Sequence, residues 1–146
     1  MPDFKYMDSQ LAKRYSAAPD YPETAKAAIR EMFRQTGPFV LDDEDMLQSG
    51  VLIRHLILPG AEDNSRAVID FVAENFPGDD ILFSLMAQYT PMPNTERFPE
   101  LQKTVSAETN DALVEYMTMR GIENGFWQEP CSATDDMIPD FDLTGV

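Results

Sequence analysis

Three short stretches of this sequence combine apolar residues with polar ones at alternate positions, and those polar residues are the candidates for chemistry. Asp3 and Lys5 lie in residues 2–7, Arg54 in residues 51–58, and Ser84 and Gln88 in residues 81–88. In a β-strand, successive side chains point to opposite faces. Asp3 and Lys5 therefore share a face, Arg54 lies beside Leu52 and Leu56, and Ser84 and Gln88 lie beside Met86. A cation in a dry sheet is costly without a partner. At the carboxyl ends of parallel strands, where ligands sit, two cations invite a carboxylate or another anion. The same pattern has a purely structural reading, in which Asp3 pairs with Lys5 near an edge and Arg54 pairs with an acidic neighbour. His55 falls on the opposite face with Ile53 and Ile57, as a histidine packed under a helix would. A Ser-His-Asp arrangement would have to run through it and is rejected.

The elements that must position these residues follow from patterning and from breakers. Strands are expected over about residues 2–7, 51–58 and 81–88. The run Val-Leu-Ile-Arg-His-Leu-Ile-Leu at 51–58 reads as a strand buried on both faces. Asp8 and Ser9 can cap a short helical turn to about Tyr15. A helix over about 22–35 opens on Pro22, carries an apolar stripe of Ala25, Ala28, Ile29, Met32 and Phe33, and stops at Gly37-Pro38. A second helix, over about 64–76, is capped by Asn64 or Ser65, and a third, over about 106–120, opens on Ser106 and stops at Gly121. Asp42 to Asp45 is a solvated acidic loop or helix start without the spacing of a calcium loop. Residues 89–105 form a long loop, 124–128 can be extended, and the tail from about 132 is acidic. Strands alternating with helices predict one α/β domain over residues 1–146, a parallel sheet with flanking helices.

Composition narrows the function classes. The chain has 146 residues, 43% of them hydrophobic, which suffices for one core. Its formal charge is −15, and residues 61–146 hold 17 of the 26 acidic residues. Such a chain repels phosphate backbones and anionic lipid, so neither nucleic acid nor membrane is expected as a partner. No apolar run approaches the roughly 18 residues of a membrane span. The start lacks the regions of a signal peptide, and the expectation is a cytoplasmic protein. One cysteine, Cys131, and one histidine exclude an intrachain disulfide and a Cys/His zinc site. Cys131 reads as a bystander thiol, and the nine methionines read as core filling.

The chain resembles the C-terminal half of a radical S-adenosylmethionine (SAM) protein of the group related to pyruvate formate-lyase activating enzyme. The resemblance rests on Pro2 to Met7, Leu52 to Gly60, Ser84 to Met92, Phe98 to Leu101, Asn124 to Glu129 and Ile138 to Asp142, in the family's order. It implies the C-terminal half of a (β/α)6 partial TIM-like barrel, which in the whole family holds SAM and a 4Fe-4S cluster at its mouth. Such activases cleave SAM reductively to a 5′-deoxyadenosyl radical, which abstracts hydrogen from a glycine of a partner enzyme. By position, Asp3 and Lys5 match the Asp-x-Lys strand that meets the methionine end of SAM. Arg54 matches the fifth-strand arginine that also contacts SAM. Gln88 and Tyr89 fall where the family approaches adenine, with Tyr89 standing where the best-known activase has histidine.

The family's Cys-x3-Cys-x2-Cys loop and its second-strand motif are both missing, so this chain cannot ligate the cluster and is expected to be inactive alone. Expected partners are a missing N-terminal half or a second copy pairing with the exposed edge of the first strand, and a glycyl radical enzyme or another protein substrate. The alternatives are a non-catalytic acidic α/β interaction module or half of a split enzyme.

Overall fold

A computed structural model describes residues 1–76, 80–92 and 95–127. Helix α1 (Ser9–Ser16) opens on Asp8, whose carboxylate accepts a hydrogen bond from the Gln10 amide at 2.6 Å. Helix α2 (Tyr21–Thr36) begins with Pro22 in its first turn and ends at Gly37, whose φ of 69° suits glycine. Its inner stripe is Pro22, Ala25, Ile29 and Phe33. Ala28 and Met32, expected in that stripe, are exposed, because only a narrow line of the helix meets the core.

A hairpin of β1 (Val40–Leu41) and β2 (Leu47–Ser49) follows, where the sequence reads as a loop or helix start. Its base is tight: a Cβ added at Gly50, whose φ is 117°, would lie 2.4 Å from the Phe39 Cα. The alternating units come next: β3 (Leu52–Leu56), α3 (Glu62–Asn75), β4 (Leu82–Met86), a short 3-10 turn (Pro99–Gln102), α4 (Ala107–Met119) and β5 (Gly125–Trp127). Helix α4 is capped as its sequence predicts, with Ser106 Oγ accepting from the Thr109 amide at 3.1 Å.

Strands β3, β4 and β5 are parallel and lie side by side in that order. Residues 2–6 add a minimal fourth strand beyond β3. There the Phe4 amide donates to the Arg54 carbonyl at 2.8 Å, and the Arg54 amide donates to the Pro2 carbonyl at 2.9 Å. The fold class expected from alternation, a parallel sheet with flanking helices, is the one observed.

The helices cover one face of this sheet. Phe4, Ile53, His55, Ile57, Phe83, Leu85 and Ala87 point into it and are buried with Ile29, Val68, Ile69, Val72, Leu113 and Met117. Burying each large apolar side chain contributes on the order of 1.5–3 kcal/mol. Phe4 meets the Phe71 ring edge-on at 5.3 Å between centroids. The alternate residues Leu52, Arg54, Leu56, Ser84, Met86 and Gln88 are only half-buried. The expectation that the strand at 51–58 is buried on both faces is thus corrected: one face is core, and the other is open.

Two further expectations change. Helix α3 starts at Glu62 after Ala61, so Asn64 and Ser65 lie inside its first turn rather than capping it. The outer edge of residues 2–6, expected to be free for a partner, is closed by the chain's own Tyr21. Its hydroxyl accepts from the Lys5 amide at 2.9 Å and donates to the Asp3 carbonyl at 2.9 Å. Those are the two groups that one residue of a neighbouring parallel strand would satisfy, so a single phenol stands in for that strand and blunts the edge. Tyr21→Phe should cost about 1–2 kcal/mol in urea denaturation and should self-associate with concentration in sedimentation experiments. Wild-type stability with no association would show that the hydroxyl does not guard the edge.

Candidate functional site

The open face of the sheet is where the singled-out residues converge. Arg54 is level with Ser84 on β4 and, beyond it, with Phe126 on β5. On its other side it is level with Asp3. Its guanidinium grips Asp3 Oδ1 through Nε at 2.8 Å and through a terminal nitrogen at 2.6 Å. Both side chains are a little over one-third exposed, so water screens the pair and its contribution to stability is small. Of the two pairings in the purely structural reading, Arg54 with an acidic neighbour is realised, that neighbour being Asp3, and Asp3 with Lys5 is not.

Lys5 lies one step nearer the carboxyl end, on the same face as Asp3. Among the described residues its ammonium makes no ion pair. It borders a cavity of about 130 Å³ with Tyr6, Leu56 and Leu58. The cavity opens at the carboxyl ends of the first segment and β3, the usual ligand position in a parallel sheet. Lys5 is aimed there by its backbone: its amide is held by Tyr21, and its carbonyl accepts from Asn64 Nδ2 at 2.9 Å. Asn64 Oδ1 also accepts from the Met7 and Asp8 amides at 2.8 and 3.2 Å, fixing the turn into α1.

Gln88 extends the open face past the end of β4. Among the described residues its buried Oε1 has no hydrogen-bond partner, while its Nε2 lies 3.8 Å from Met86 Sδ. Tyr89 has the opposite parity and is corrected: it is 8% exposed, packs in the core, and donates its hydroxyl to the Leu101 carbonyl at 3.0 Å. Alternation alone could have excluded it, since 89 shares its face with 83, 85 and 87. Tyr6, Leu56 and Leu58 went unremarked as lining residues, because an apolar wall carries no chemical signal in a sequence.

His55 is fully buried under α3. Its Nδ1 lies 2.7 Å from the Phe4 carbonyl, which can only accept, so the proton sits on Nδ1. Nε2 then accepts from Ser65 Oγ at 2.9 Å. Burial pushes its pKa down to about 4. Both nitrogens are occupied and no solvent reaches them, so His55 is no general base and the triad is excluded.

The arrangement suits one kind of ligand group. Asp3 spends Oδ1 on Arg54, and among the described residues its Oδ2 accepts no hydrogen bond. A carboxylate oxygen on the same face as an ammonium complements a zwitterionic α-amino acid, whose ammonium would meet Asp3 and whose carboxylate would meet Lys5. The cavity beside Lys5 holds about 130 Å³. It falls short of the roughly 300–1,000 Å³ that encloses a whole drug-sized ligand or cofactor. A 4Fe-4S cluster does not fit. Its family-type site needs three thiolates, the chain has one cysteine, and Cys131 lies outside the described residues, as does the acidic tail. Among the described residues no group of three His, Cys, Asp or Glu side chains is placed to hold a metal ion, and no helix is long and apolar enough to cross a membrane. Comparison with family models, with curated proteins and with solved structures finds no match to this chain.

Proposed function

We propose that this chain is the SAM-facing part of a barrel of the radical SAM type, resembling the activases of glycyl radical enzymes and inactive alone. The observation that carries the reading is the convergence of Asp3, Lys5 and Arg54, from two neighbouring parallel segments, on the open face beside the cavity. The sequential order of the parallel segments supports a partial barrel, since a barrel adds strands in chain order whereas a doubly wound sheet reverses. The amino-acid end of SAM would be held by Lys5 and Asp3, with Arg54 fixing the Asp3 carboxylate. Ser84 and Gln88 continue the face toward the rest of the molecule. When bound with its redox partner, SAM supplies a radical precursor. Within this chain, residues only bind and orient it. The three thiolates that such chemistry needs must come from another polypeptide segment.

Titration calorimetry with SAM tests this reading. Saturable binding is expected, weakened at least tenfold, about 1.4 kcal/mol, by Lys5→Ala and by Arg54→Ala, with free methionine competing. Arg34→Ala, on helix α2 where its partner is Glu31, should bind as wild type. Equal heats for wild type and both variants would remove the site.

The alternative, a non-catalytic α/β interaction module, is favoured by the small volume of the cavity. Salt-sensitive association with a basic protein that survives loss of Lys5 and Arg54 would favour it over the SAM reading.

A further inference from the structure

The hairpin between α2 and β3 is the most conspicuous feature that the open face does not use. Every residue of β1 and β2 is exposed. Val40 is 54%, Leu41 37%, Met46 61% and Leu47 38% exposed, four of the nine exposed large hydrophobics among the described residues. A connection from helix to strand needs only about two to six residues, and a lone two-stranded hairpin is marginal in water. An ordered, solvent-facing apolar hairpin in that position calls for an occupant.

Its tip is built as carefully as its sides are left bare. Asp42 Oδ1 accepts from the Glu44 and Met46 amides, both at 2.9 Å, and Oδ2 accepts from Gln48 Nε2 at 2.6 Å. Asp45 takes a left-handed φ of 58° to close the turn, a conformation that aspartate tolerates. Asp43, Glu44 and Asp45 form no ion pair among the described residues. The hairpin thus sets a cluster of negative charge beside the exposed cross-strand pair Leu41 and Leu47.

We propose that this hairpin is a docking element for a basic protein segment in extended conformation, with alternating cationic and apolar side chains. Its apolar residues cover Leu41 and Leu47, which are level across the two strands and share a face, while its lysines or arginines meet the acidic tip. Charge selects this occupant over a second copy, which would bring an identical acidic tip and its own net charge of −15. The inference is independent of SAM binding, since the hairpin shares no residue with the open face.

Fluorescence anisotropy with labelled heptapeptides tests it. A peptide alternating lysine and valine should bind the full chain saturably. A lysine–serine peptide of equal charge should bind at least tenfold more weakly, and a glutamate–valine peptide should not bind. The pair Leu41→Ser with Leu47→Ser should weaken the lysine–valine peptide at least fivefold. The triple change Asp43→Asn, Glu44→Gln and Asp45→Asn should weaken it at least tenfold and flatten its salt dependence. These positions are exposed and Asp42 is kept, so circular dichroism should show an unchanged fold. Equal binding of the lysine–serine peptide would reduce the effect to bulk charge and overturn the proposal. So would unchanged affinity in either variant, or wild-type dimers in sedimentation that the serine pair abolishes.

Discussion

Acidification from pH 7 to pH 4 should remove about 3 kcal/mol of stability through His55 alone. The folded chain holds this imidazole neutral, with a pKa of about 4 against an ordinary 6.5, because burial penalises its charged form. The unfolded chain therefore takes up a proton first as the pH falls. The stabilisation is complete above pH 6.5 and drains away between 6.5 and about 4, at up to about 1.4 kcal/mol per pH unit. The window is clean in its upper part, since His55 is the only histidine and ordinary carboxylates titrate lower. Those with lowered pKa values, such as Glu31 at about 2, held by Arg34 and Gln35, give up their stabilisation only as the pH falls below their ordinary 4.5. Urea denaturation at pH 7, 6, 5 and 4.5 should show a falling midpoint with an unchanged slope. In His55→Gln the change between pH 6.5 and 5 should disappear. Should that variant fail to fold, the imidazole carbon resonance of wild type decides: titration near 6.5 in the native protein would refute the account.

How much of this molecule was legible in its sequence depended on whether the signal was local. Helices α2 and α4 were readable because Pro22, Gly37, Ser106 and Gly121 act on their own backbone neighbourhood. The shared face of Asp3 and Lys5 followed from strand parity, as did the placing of His55 opposite Arg54. The hairpin was hidden by its own chemistry. Four consecutive acids masked the symmetric apolar pairs Val40-Leu41 and Met46-Leu47, and the turn uses Asp45 at positive φ where glycine would have announced it. The open face was misread because Arg54 and His55 are the only polar residues in an eight-residue apolar run, and a run cannot say which side lacks a covering layer. Tyr21 and Asn64 were illegible for a third reason. Their partners lie 16 to 59 residues away, and a tyrosine in a helix or an asparagine near a helix start has ordinary local uses.

Asn64 gives the other large expected effect. It is 5% exposed, and its amide satisfies three backbone groups of residues 5–8: the Lys5 carbonyl and the Met7 and Asp8 amides. Replacing it with alanine leaves all three without a partner in a partly buried turn. At about 1 kcal/mol for each bond, and more where water cannot replace it, Asn64→Ala should cost about 3–4 kcal/mol. A structural loss alone would stop there, but this turn also aims Lys5 at the cavity. In conditions where the variant remains folded, its affinity for SAM should fall by the factor seen for Lys5→Ala, with that of the hairpin for the lysine–valine peptide unchanged. Asn64→Asp separates the two halves of the amide. It keeps the acceptor for Met7 and Asp8 but sets a carboxylate oxygen against the Lys5 carbonyl and buries a charge. Protonation restores a donor, so this variant should gain stability relative to Asn64→Ala as the pH falls from 7 to 5. That trend opposes the His55 trend, and denaturation of both variants at each pH isolates it. Equal pH dependence in the two variants would mean that Asn64 does not donate to Lys5, and the turn would then owe its shape to something other than this side chain.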